Sequence, residues 1–312
     1  MTMNLLVIGN GFDKAHELKT DYHDFLQWAY DNGHMGVRYG EHLKERIDGI
    51  ATYRSLVPGF DLNLYWKNAL SASSRNPDAY QPNYADVLLR KQGSWIDLEN
   101  NLATCVKARM DEQGFRVLNA LFSEFLLPKF EQYIAEVVNN DSTVSGSLAV
   151  SGADLVLSFN YSNTFERLYG EQSRCFKICY LNGKAQINAA HPNIVFGCDC
   201  CEDSAHGKRF VEYDKVIQRA DRNTDDAYRD WIIEDINCKY QIYIVGHSLG
   251  RTDWEILRPL IIAKRNTTKI YYHSEESKKE LMYNLYCMIG RESMVQRKTE
   301  FLHISKLNIE RR

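Results

Sequence analysis

The sequence predicts an α/β fold, a mainly parallel sheet carrying a large helical insertion. Three observations lead there. The chain opens on an apolar run that passes straight through a Gly-x-Gly turn into helix-compatible sequence, Leu5-Leu6-Val7-Ile8-Gly9-Asn10-Gly11. After residue 150, strand-like runs alternate with helical ones, the pattern of crossovers between parallel strands. The carboxyl ends of those runs carry polar residues, where open parallel sheets bind their ligands.

The first strand, Leu5–Ile8, is apolar at every position, as a strand buried on both faces must be. Gly9-Asn10-Gly11-Phe12-Asp13 turns into Lys14–Leu18, a junction whose free N–H groups and helix dipole favour an anion. No third glycine follows with dinucleotide-binding spacing, so the turn by itself equally suits a plain β-to-α connection. Thr20-Asp21 caps a helix over Tyr22–Tyr30, with Phe25, Leu26 and Tyr30 at helical spacing.

The pattern stays helical to about Asn140, punctuated by turns at Val57-Pro58-Gly59 and Asn76-Pro77-Asp78. Ser94-x-x-Asp97 reads as a capping box opening a helix with Trp95, Leu98, Leu102 and Val106 on one face. Glu99, one turn after Trp95, is the acidic residue placed to face a cleft, but on spacing alone it reads as a solvated carboxylate. Phe115–Val138 is a further long helix, or two broken near Pro128, and the polar Asn139–Gly152 is the best junction in the chain. Residues 20 to 150 are therefore expected to be a helical insertion within a single domain spanning 1–312.

Strands then return. Ala153–Phe159 ends in Asn160-Tyr161-Ser162-Asn163-Thr164, and a short helix begins at Phe165. Phe176–Leu181 ends at Asn182-Gly183, and Ile194–Gly197 makes a short fourth strand. Phe210–Cys238 reads as helical. Gln241–Val245 ends at Gly246-His247-Ser248-Leu249-Gly250, with Asp253 and Trp254 opening the next helix. Ile270-Tyr271-Tyr272 is a sixth strand, followed by a helix from Glu275 to Met288.

Composition narrows the function classes. A net charge of −3 over 312 residues argues against a general nucleic-acid footprint. No run of 18 apolar residues exists, and Met1-Thr2-Met3-Asn4 lacks the features of a signal peptide, so a cytoplasmic protein with no membrane segment is expected. In that compartment the eight cysteines are reduced thiols. Cys175, Cys179, Cys198, Cys200 and Cys201 cluster, but without paired Cys-x-x-Cys knuckles. Cys175 and Cys179 read as packed on one face of a strand, and no zinc or other metal site is expected.

Two chemistries compete at the strand ends. Gly246-His247-Ser248-Leu249-Gly250 matches the Gly-x-Ser-x-Gly nucleophile elbow, with Ser248 as nucleophile, Asp253 among the acids and His273 or His303 as base. Little chain follows it to carry the remaining triad strands. The alternative is that Ser248 caps a helix and offers its hydroxyl and N–H to a phosphate.

The combination of Ile8-Gly9-Asn10-Gly11-Phe12-Asp13, Leu18-Lys19-Thr20-Asp21-Tyr22-His23-Asp24-Phe25, Trp95-Ile96-Asp97-Leu98-Glu99, Phe159-Asn160-Tyr161-Ser162-Asn163-Thr164, Asn182-Gly183 with Phe196-Gly197, and Gly246-His247-Ser248-Leu249-x-x-x-Asp253 resembles the AbiH family of bacterial abortive-infection proteins. That family in turn resembles sirtuin-like, Rossmann-like NAD-binding domains. Gly9-Asn10-Gly11 corresponds to their Gly-Ala-Gly cofactor loop, Asn160 to an asparagine that orients the nicotinamide ribose and a water, and Gly246–Leu249 to a phosphate and ribose loop. The resemblance implies phage defence and a nucleotide pocket drawn from Gly9, Asn10, Gly11, Phe12, Asp13, Tyr161, Asn182, Gly183, Gly246, Ser248 and Asp253. It implies NAD or a related nucleotide as ligand or substrate, cleaved at the nicotinamide–ribose bond.

One position departs. The sirtuin-like pattern ends its third strand in His-Gly, the histidine being the base, whereas this chain has Asn182-Gly183. An amide takes no proton near neutral pH. His191 and His247 are the substitutes, catalytic with Asn160, and a nucleotide sensor without turnover is the alternative function. Expected partners are the nucleotide, a phage component or a defence-system protein, with room for a homo-oligomer.

Overall fold

A single parallel sheet organises the computed structural model, which describes residues 2–32, 99, 122–123, 126–187, 192–198, 211–222, 224, 228–229 and 238–310. Its strands are β1 (Thr2–Ile8), β2 (Leu155–Ser158), β3 (Lys177–Tyr180), β4 (Lys239–Val245), β5 (Thr267–Tyr272) and β6 (Thr299–His303). They lie in the order β3-β2-β1-β4-β5-β6, all parallel. This is the doubly wound order of a Rossmann-like sheet, with the reversal between β1 and β4.

The described helices are α1 (Asn10–Lys14), α2 (Tyr22–Asp31), α3 (Leu127–Tyr133), α4 (Thr164–Tyr169), α5 (Lys215–Arg222), α6 (Trp254–Ile262) and α7 (Glu275–Gln296). None is long and apolar enough to cross a membrane.

The chain divides into two units. One comprises Met1–Leu18, Val137–Ala185 and Arg219–Arg312, and the other Lys19–Glu136 and Gln186–Gln218. In the first, β1 is central and buried on both faces, so its apolar residues part by period two. Leu5 and Val7 join Ile242, Ile244 and Ile270 beneath α6 and α7, which contribute Leu257, Leu260, Leu285 and Met288. Leu6 and Ile8 join Val156, Val245, Phe165 and Tyr169 on the other face.

In the second unit, Phe25 packs on Phe130 and Tyr133. Pro128 stands in the first turn of α3, where a missing N–H costs nothing, and the chain continues as a π-helix over Ile134–Val138. Glu99 is buried and not solvated. It meets Lys215 Nζ at 2.7 Å, both side chains being over nine-tenths buried. Glu131 is likewise buried and accepts from the backbone of Gln186 and Asn193.

Two further sequence expectations are corrected, and one strand escaped them. Ile194–Gly197 is not a sheet strand, and only an isolated bridge, Cys198 to Asp214, lies beside it. The Gln218 amide satisfies both backbone groups of Phe196 in place of a neighbouring strand, so the apolar run signals burial and not pairing. A strand at Thr299–His303 escapes the sequence reading because, at the sheet edge, none of its side chains is fully buried. Cys175 and Cys179 do not share a face. Cys175 precedes β3 and packs with Ile178, whereas Cys179 enters the opposite cluster. The Ser94 capping box, the turns at Pro58 and Pro77, and Cys200 and Cys201 lie outside the described residues.

Candidate functional site

The reversal of strand order brings the loops after β1 and β4 against each other. Gly11 N–H donates to Gly246 O at 2.8 Å, and Gly9 N–H to Val245 O at 3.3 Å. The approach requires glycine. A Cβ on Gly11 would lie 2.7 Å from Gly246 Cα, and one on Gly9 2.8 Å from His247 Cα. Gly246 has φ +67°, and a Cβ there would strike Phe12 N. The glycines of both motifs thus form one packed joint.

Asn160 supports that joint from the loop after β2. Its Nδ2 donates to Gly9 O at 3.0 Å, and its side chain is buried. Asp13, at the far end of the same loop, is 2 % exposed. Its Oδ2 accepts from Ser162 Oγ at 2.7 Å, Thr164 Oγ1 donates on to Ser162 at 2.9 Å, and Oδ1 has no partner among the described residues. Burial pushes the Asp13 carboxyl up to about 6, against the opposing pull of Ser162, Thr164, Asn160 and the charge of Arg167. Phe12 itself points into the core, against His16, Phe165 and Tyr169.

His247 is clamped at both ring nitrogens. Leu249 N–H donates to Nδ1 at 2.9 Å, so the neutral ring carries its proton on Nε2, which faces Asp253 Oδ2 at 3.4 Å. Phe159 meets the ring edge-on at 4.3 Å between centroids.

Asn182 is held in the same way. Its Nδ2 donates to Phe159 O at 3.1 Å and its Oδ1 accepts from Arg219 Nη2 at 3.0 Å. Arg219 also faces Asp253 Oδ1 at 3.8 Å, which joins Asn182, Asp253 and His247 into one buried network. Gly183, with φ +77°, makes the turn after β3. Tyr161 O accepts from Ala185 N–H.

Ser248 is not set up as a nucleophile. Its Oγ accepts from Gly250 N–H at 3.2 Å, and its carbonyl is tied to Asn284 of α7 at 2.9 Å. Among the described residues no imidazole bonds its hydroxyl; His273 is exposed, and His303 Nδ1 engages Ser305. His191 lies outside the described residues.

The structure therefore brings Gly9, Gly11, Asn160, Gly246 and His247 into one joint, with Asp13 at one end and Asp253 and Asn182 in the adjoining network. Arg219 and Asn284 escaped the sequence reading. Arg219 sits in a highly charged helix far along the chain, where one more arginine carries no local signal.

The family model for bacteriophage abortive infection protein AbiH matches residues 5–121 and 106–273. That range contains the β1 loop, Asn160, Asn182, Arg219 and the β4 loop. Neither the curated proteins nor the solved structures give a significant match.

Proposed function

The chain belongs to the AbiH family, and so to bacteriophage abortive-infection defence; from that premise we propose that it recognises a nucleotide at the carboxyl edge of its sheet, NAD or a related one, with hydrolysis as the leading activity. The observation that carries the reading is the joint between Gly9–Asp13 and Gly246–Asp253 at the point where strand order reverses, where Rossmann-like sheets take their ligands.

Within this reading, Asn160 orients the ribose, and Asp13 is the group that takes the proton. Burial pushes the Asp13 carboxyl up to about 6, and its Oδ1 has no partner among the described residues. Asn182 holds the network instead of supplying a base. Breaking the nicotinamide–ribose bond passes through an oxocarbenium-like state, which needs a held ribose and a placed water more than a strong base.

A second reading, a sensor that binds without turnover, is favoured by the locking of His247 and Asn182 through all their polar side-chain atoms. Incubation of the chain with NAD, ATP and other nucleotides, alone and during phage infection, separates the two by chromatography of the products. Release of nicotinamide supports hydrolysis. Binding without product supports the sensor, and no binding to any nucleotide removes both.

A further inference from the structure

We propose that the opposite, amino-terminal edge of the sheet holds a second binding site, for a small phosphorylated anion. A cavity of about 310 Å³ opens there among the first residues of β1, β4, β5 and β6. That volume is within the range of small-molecule sites and equals the space of about ten waters. It suits a pyrophosphate or a nucleoside monophosphate.

The lining is built by strand register. Lys239 and Gln241 of β4, Thr267 and Lys269 of β5, and Lys298 and Glu300 at β6 recur with period two, which puts each pair on one face of its strand. Helices α6 and α7 pack against the opposite cluster of sheet residues. Three lysines oppose one carboxylate in the lining, within a chain of net charge −3.

These cations are not neutralised by the described protein. Lys239 is exposed and makes no ion pair among the described residues. Lys298 reaches Glu300 only at 3.9 Å, with side chains 73 % and 44 % exposed, a pairing of little strength in water. Lys269 lies over the Tyr243 ring, 5.6 Å from its centroid, which leaves its charge available to an anion. Compact ammonium groups lining the cavity from three neighbouring strands suit a tetrahedral phosphate, and Thr267 adds a hydroxyl donor.

The site is independent of the nucleotide reading, because β1 and β4 separate the two edges by roughly 20 Å at strand rise. The test uses inorganic pyrophosphate and the full chain. Calorimetric titration should show binding that weakens with salt, and Lys239→Ala and Lys298→Ala should each raise Kd about tenfold. Lys279→Ala on α7 should leave it unchanged. In parallel, pyrophosphate should protect Lys239, Lys269 and Lys298 of the wild type from acetylation, mapped by mass spectrometry, while Lys279 stays reactive. This second measurement needs no variant to fold and separates the two edges. No binding at millimolar pyrophosphate, equal Kd in the lysine variants, or protection absent from these three lysines overturns the proposal.

Discussion

Gly11 N–H donates to Gly246 O at 2.8 Å, so the turns after the two central strands are bonded backbone to backbone. The glycines of both motifs are explained by this joint before any ligand is invoked. Gly246→Ala must place a Cβ into Phe12 N with φ held positive. It should destabilise the fold by about 2–4 kcal/mol, read by urea unfolding. Gly250→Ala, whose Cβ would meet only Ser248 Oγ at 3.4 Å, should change stability little. Equal effects would show that the joint does not hold the loops.

Two buried titratable groups in the β1–α1 region give opposite pH dependences. His16 bonds Phe12 O through Nδ1 and the Tyr169 hydroxyl through Nε2, and burial holds its pKa below the ordinary value. Its unfolded form therefore takes up a proton first. Its contribution is full above the ordinary histidine value of about 6.5 and is lost as pH falls below it. His16→Gln should remove that acid-side loss from an unfolding series across pH.

Asp13 acts the other way, because its folded value of about 6 lies above the ordinary carboxylate value. The folded state binds the extra proton, so stability declines as pH rises from about 4 to 6. Over that window Asp13→Asn should gain relative to wild type by roughly 3 kcal/mol, an upper figure for a fully buried group. A pH-independent difference would place the Asp13 carboxyl in contact with water. If NAD is turned over through Asp13, the same variant should lose turnover while keeping binding, and the wild-type rate should rise with pH through about 6.

Arg219 ties Asn182 to Asp253. Arg219→Met should cost about 2–4 kcal/mol, since it strips a buried carboxylate of its cation. Arg219→Met combined with Asp253→Asn should cost less than the sum of the two single changes. Strict additivity in the double-mutant cycle would deny the coupling.

The buried pair Glu99–Lys215 should behave likewise. Lys215→Met alone should cost about 3–5 kcal/mol, and the double change with Glu99→Gln should recover part of it, because the single change takes the 2.7 Å ammonium away from a buried carboxylate. Thermal unfolding of the three variants decides.

The strands, the turns after them and their polar ends were legible because each is written in a few neighbouring residues. Leu5–Ile8 declares a doubly buried strand, and Gly246–Leu249 a strand-to-helix turn. Ile194–Gly197 misled because an apolar run reports burial alike, whether a strand or the Gln218 side chain satisfies its backbone. Thr299–His303 was silent because an edge strand needs no continuous apolar face. At the site, Asn160 and His247 could be named, but not what their atoms were already bonded to.

By itself, then, the sequence determined the parallel α/β class and the polar loops at the strand ends with the residue types in them, since periodicity and turn chemistry act over a few residues. Only the tertiary structure decided the strand order, and with it that the loops after β1 and β4 meet. It also decided that Asp13 is buried enough to titrate near 6, and that Arg219 engages Asn182 and Asp253. Those facts depend on desolvation and on contacts between distant segments, and no local pattern encodes the distance between them.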